Sequence, residues 1–133
     1  MRAACGPESG SDSMEGVLAA ILESGDPERL YTGLSLLVSA ASAGEEVRAL
    51  LGFGALRALT DPDLATRATL ISDAEREPFA RTLDELRAVA AELPNCRLWA
   101  CSAAVQATGL AFDDVTSMPA FLRDAGDARL VFV

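Results

Sequence analysis

Val17-Leu18-Ala19-Ala20-Ile21-Leu22-Glu23-Ser24-Gly25-Asp26-Pro27-Glu28 decides the fold class of this chain. Its first six residues form an unbroken apolar run, the pattern of a strand covered on both faces rather than one. Asp26-Pro27-Glu28 then supplies a helix N-cap, a proline at the first helical position and an acid in the first turn. Leu30, Leu34, Leu37, Val38 and Ala41 follow on one stripe, and Gly44 ends the helix. The spacing therefore predicts a buried strand followed by a helix, the unit from which parallel sheets are built.

The pattern recurs downstream. Val47 to Phe53 reads as a second strand broken by Gly52 and Gly54, with a short helix over Ala55 to Thr60. Thr60 to Arg76 is polar and turn-rich. Phe79, Leu83, Leu86, Ala90 and Leu93 then mark a helix that Pro94 stops. Cys96 to Ala100 is the next strand. It runs through Cys101 into a helix over Ser102 to Thr108, with Ser102 as N-cap and Gly109 as stop. Phe112 to Thr116 reads as a small extended piece. A short helix follows with Pro119 in its first turn and Phe121 and Leu122 inward, and Arg129 to Val133 is a final strand. Alternating strands and helices predict an α/β domain over residues 17–133, with a mainly parallel sheet and helices on both faces. Residues 1–16 lack an apolar signal region and read as a disordered lead-in.

Composition removes several chemistries. The chain has 133 residues, a net charge of −9, no histidine and no lysine, all eleven basic residues being arginine. Histidine triads, lysine Schiff bases and the phosphate-loop lysine are therefore excluded within this sequence. Three cysteines without a C-x-x-C pair argue against zinc. The acidic balance argues against nucleic acid, and no segment has the apolar length of a membrane span. Sparse, odd-numbered cysteines fit a reducing cytoplasm.

Cys101 is the candidate reactive residue. In a parallel sheet, ligands and reactive groups gather at the carboxyl ends of the strands. A helix start there presents N–H groups without intrahelical partners, which favour an anionic sulfur. Ser102 and Ala103, which open that helix, and Gly54, at the end of the second strand, are the supporting positions. The plain alternative is a small core thiol, since free cysteine is among the most buried residue types. Ser24, Asp26 and the glycines have sufficient explanation in capping and turns. Cys96 and Cys101 fall on opposite faces of one strand, about 16 Å apart along it. A disulfide, which needs α-carbons within about 7 Å, would require that strand to break. Cys5 reaches Cys101 only if the lead-in folds back. Trp99 and Tyr31 read as packing residues.

The order of elements resembles the DsrE/DsrF-like family of small sulfur-handling proteins. The likeness is carried by Val47-Arg48-Ala49-Leu50-Leu51-Gly52-Phe53-Gly54-Ala55-Leu56, by Trp99-Ala100-Cys101-Ser102-Ala103-Ala104-Val105-Gln106-Ala107-Thr108-Gly109-Leu110, by the Phe121-Leu122 helix and by Leu130-Val131-Phe132-Val133. It covers Val17 to Val133. The resemblance implies a three-layer flavodoxin-like fold and assembly as a homo-oligomer, a trimer or hexamer. It also implies persulfide sulfur taken up by Cys101 from one protein and passed to another, with no metal or organic cofactor. Two other readings stand beside it: a small-ligand or partner-binding oligomeric module of the same fold, and a thiol-redox protein with a second cysteine resolving.

Overall fold

The computed structural model describes residues 16–133. The lead-in expectation, apart from Gly16, and Cys5 lie outside those residues. Five strands, β1 (Val17–Leu22), β2 (Glu46–Leu51), β3 (Cys96–Cys101), β4 (Val115–Thr116) and β5 (Arg129–Phe132), form one sheet in the order β4-β3-β2-β1-β5. Every pair is parallel. The helices are α1 (Pro27–Ser42), α2 (Phe53–Leu59), α3 (Asp73–Glu92), α4 (Ser102–Thr108) and α5 (Met118–Ala125), with a 3₁₀ turn at Leu64–Arg67. This is the α/β arrangement that the alternating pattern predicts, in the three-layer, flavodoxin-like form. No helix among the described residues is long and apolar enough to cross a membrane.

The two faces of the sheet are covered unequally. The chain steps one way from β1 to β4 and then reverses to reach the far side of β1 with β5. With one crossover hand throughout, the first three connections lie on one face and the last on the other. Ala20 and Leu22 of β1, Val47, Ala49 and Leu51 of β2, and Cys96 and Ala100 of β3 accordingly pack with α1, α2, α3 and α4 in the main core. The opposite face holds a small cluster of Ala19, Ile21, Leu50 and Phe121, with Trp99, Cys101 and Ala125 against it. Among the described residues a single helix, α5, supplies its cover. On β5 the same face leaves Leu130 54% and Phe132 70% exposed.

Local chemistry accounts for the boundaries. The Asp26 carboxylate accepts the Arg29 amide N–H at 3.0 Å, with Pro27 opening α1. Gly44, at φ +97°, takes the left-handed position beyond the helix end, which an L side chain disfavours.

Four expectations need correction. α2 begins at Phe53, two residues ahead of Ala55, because Gly52 rather than Gly54 takes the cap. α3 begins at Asp73, well before Phe79, because Ser72 and Glu75 form a reciprocal capping box. That start outweighs Pro78, which sits in the second turn and forfeits one helical N–H. Of the two α5 residues expected inward, only Phe121 faces the sheet; Leu122, about 100° further round the helix, is 43% exposed. The extended piece shrinks to Val115–Thr116, paired with Ala100 and Cys101.

The capping box is also a titration site. Hydrogen bonds from the Ser72 backbone N–H and hydroxyl hold the Glu75 carboxyl below its ordinary range. A lowered carboxyl pKa stabilises the fold above its unfolded value, and that contribution fades as pH falls through the folded value. The Ser72 amide resonance is thus expected to titrate together with Glu75, at a pH below that of an ordinary glutamate. A midpoint at or above the ordinary value would mean that the box is open in solution.

Candidate functional site

β3 sorts its residues by the two-residue period of a strand. Cys96, Leu98 and Ala100 face the main core; Arg97 and Trp99 face the side that, among the described residues, only α5 covers, and Cys101, at the strand's end, packs against both clusters. Cys101 closes the strand, opposite Thr116 of β4. Its backbone, at φ −67° and ψ 129°, is extended and serves as the N-cap of α4. That corrects the expected cap at Ser102, which is instead the first helical residue. No side-chain hydrogen bond caps this helix, so its opening N–H groups keep no side-chain acceptor. The Cys101 thiol is free and half-buried. Ser102 is half-buried and Ala103 exposed.

The three supporting positions separate. Ser102 and Ala103 follow Cys101 directly, whereas Gly54 serves the neighbouring loops. A Cβ built on Gly54 would lie 2.5 Å from the Glu23 carbonyl oxygen and 2.7 Å from the Gly25 amide nitrogen. Gly54 is therefore the point where the β2–α2 turn meets the β1–α1 loop, its nearest neighbours being backbone atoms beyond the end of β1. Ser24 accepts the Asp26 amide N–H at 3.1 Å, closing a local turn, and Asp26 caps α1.

Cys96 differs from Cys101. It is 5% exposed, and burial pushes its thiol above the ordinary value. β3 runs unbroken between the two, and both thiols are free. Because the thiolate is the nucleophile, iodoacetamide at neutral pH is expected to label Cys101 well before Cys96, read by peptide mass spectrometry. Equal labelling would place Cys101 in the core like its neighbour.

The under-covered face forms a groove of about 360 Å³ that reaches Thr116, the register partner of Cys101, but is not lined by Cys101 itself. Its lining is Glu46 and Arg48 from β2, Arg97 and Trp99 from β3, Thr116 from β4, and Phe121 and Asp124 from α5. Arg48 and Arg97 are register partners on adjacent strands. Arg48 Nη1 donates to the Asp124 carbonyl at 2.9 Å, tying the end of α5 to the sheet, and its Nε lies 3.8 Å from Glu46. The Arg97 guanidinium lies 4.5 Å from the centroid of the Trp99 ring, a cation–π arrangement. Its carboxylate neighbour Asp114 stands at 3.7 Å, longer than a hydrogen bond. Trp99 meets Phe121 edge-on at 6.3 Å between ring centroids.

Sequence reading placed Trp99 among packing residues and singled out neither arginine as a binding residue. The alternation Arg97-x-Trp99-x-Cys101 was the available signal, since it puts all three on one face. The Arg48 contribution depends on the β2–β3 register and has no local signature. A second groove, of about 530 Å³, lies on the other side of β3's start, between the end of α3 and residues 111–114, with Cys96 in its wall. No family model matches this chain, and no curated protein matches its sequence.

Proposed function

We propose that this chain is a sulfur carrier in which Cys101 accepts sulfane sulfur as a persulfide and passes it on. The observation that carries the reading is the position of the thiol: free, half-buried and capping α4 at the carboxyl end of a parallel strand. In the forward step the Cys101 thiolate attacks the outer sulfur of a donor persulfide, R–S–SH. A bond forms between Sγ and that sulfur, the donor S–S bond breaks, and its electron pair leaves on R–S⁻. An acceptor thiolate repeats the attack on the Cys101 persulfide and restores the thiol. Neither step consumes an oxidant or a cofactor. The sulfur sits at the amino end of α4, the end of a helix dipole that favours negative charge.

The thiol-redox reading receives less support, because Cys96 sits on the opposite face of an unbroken strand and is poorly placed to resolve an oxidised Cys101. The binding-module reading gains from the groove at Arg97 and Trp99, which is compatible with sulfur transfer as well. We further propose a homo-oligomer, a trimer or hexamer, working in a reducing cytoplasm with protein sulfur donors and acceptors. The exposed Leu130 and Phe132 support self-association. Sedimentation at micromolar concentration is expected to give a multiple of the chain mass, and a single-chain mass would overturn the assembly.

Incubation with a persulfide donor followed by intact mass measurement tests the carrier reading. The wild-type chain is expected to gain one sulfur atom, reversed by reductant; Cys96→Ser is expected to gain it too, and Cys101→Ser to gain none. No gain in the wild type, or an equal gain in Cys101→Ser, would sink it.

A further inference from the structure

We propose that the groove between α5 and the sheet binds a small monocarboxylate, with Arg97 holding the carboxylate and Trp99 and Phe121 holding the body of the ligand. Four observations converge on this ligand class. First, Arg48 and Arg97 stand side by side on adjacent strands and present two guanidinium groups to one groove. Second, the two arginines are differently engaged. Arg48 already donates to the Asp124 carbonyl, whereas Arg97, 3.7 Å from Asp114 and stacked on Trp99, keeps its planar fork available for a carboxylate. Third, Glu46 and Asp124 on the same rim leave the groove without the net positive charge that a polyanion such as phosphate requires, so recognition of an anion falls to the local geometry of Arg97. Fourth, Trp99 and Phe121 provide an apolar wall on which a short chain or a peptide plane can rest.

Length makes the ligand more specific. Arg97 and Cys101 are four residues apart on one face, about 13 Å between α-carbons at 3.3 Å per residue. The Arg97 side chain leans over Trp99 and shortens that span. Thr116, opposite Cys101, lines the groove's far end. A carboxylate held at Arg97 therefore sends a short chain toward the Cys101 thiol. This last step rests on the sulfur-carrier reading: the ligand is then a carboxylate-bearing small thiol or its persulfide.

Two measurements separate the groove from the chemistry. In Cys101→Ser, titration with 3-mercaptopropionate is expected to change the emission of Trp99, the sole tryptophan, in a saturable way. Arg97→Gln in the same background is expected to weaken that binding about tenfold, the loss of a charge-assisted hydrogen bond. Inorganic phosphate is expected to give no saturable change. In the chain with Cys101 intact, the ratio of labelling by iodoacetate to labelling by iodoacetamide at Cys101 is expected to fall several-fold in Arg97→Gln. Arg97 is exposed, and circular dichroism of the variant controls for folding. Absence of saturation, equal binding of phosphate, or a ratio indifferent to Arg97 would overturn the groove. Saturable carboxylate binding without persulfide on Cys101 would instead overturn the carrier reading and leave the groove standing.

Discussion

Phe121→Ala is expected to lower stability by about 3–5 kcal/mol, the cost of a large-to-small change at a buried aromatic. Phe121 is 4% exposed and is the one buried residue of α5. An eight-residue helix does not persist without tertiary packing. Its remaining attachments are Ala125 against the cluster and the Arg48 hydrogen bond at its carboxyl end. Removing the ring deletes the contact with Trp99 and the main apolar contact of the only helix on that face. Urea unfolding checks the size, and Trp99 emission in the folded state checks the cause by shifting to the red as water reaches the indole. A loss under about 1 kcal/mol, typical of surface substitutions rather than core ones, would show that α5 is not docked in solution.

Gly54→Ala is the second large effect, and its origin is steric. The new methyl would stand 2.5 Å from one backbone atom and 2.7 Å from another, Glu23 O and Gly25 N. No side chain is available to swing aside, so the β1–α1 and β2–α2 loops must part. Overpacking of this kind costs about 1–3 kcal/mol, and more where the obstacle is main chain. Gly44→Ala provides a contrast: it meets nothing within 4 Å, and its penalty comes only from a φ of +97°. Thermal unfolding is expected to show Gly54→Ala losing several degrees. An unchanged melting temperature would mean that the two loops do not meet as described.

Elements whose evidence is local were legible in the sequence. β1 matches its apolar run residue for residue, and α4 ends where Gly109 adopts φ +73°. Cys101's place at a strand-to-helix junction follows from the same two signals. The start of α3 was missed because the Ser72–Glu75 capping box lies within Thr60 to Arg76, a stretch whose polar, turn-rich composition hides a helix start. Leu122 was placed inward because a short helix with two adjacent apolar residues does not reveal which one the sheet will take. The groove was illegible for a deeper reason. Arg48 and Arg97 are far apart in sequence, and only the β2–β3 register brings them together; the open space above them exists because one short helix covers that face.

The strand order bears on how the chain assembles in time. β5 pairs with β1, so the first and last strands of the described chain are neighbours, with most of the sequence between them. Val133 donates to the Ile21 carbonyl and accepts from the Glu23 amide, which places the main chain of Ala19, Ile21 and Glu23 on the β5 side. During synthesis β1 to β4 can pair as they emerge, but this side of β1 stays open until Arg129 to Val133 appear. Through that interval a strand apolar on both faces offers unpaired amides and carbonyls to any passing edge, the geometry from which aggregation and strand exchange begin. The arrival of a few carboxyl-terminal residues thus closes the nascent domain's most adhesive edge, and expression of a chain shortened before Arg129 should favour inclusion bodies over a merely weaker fold.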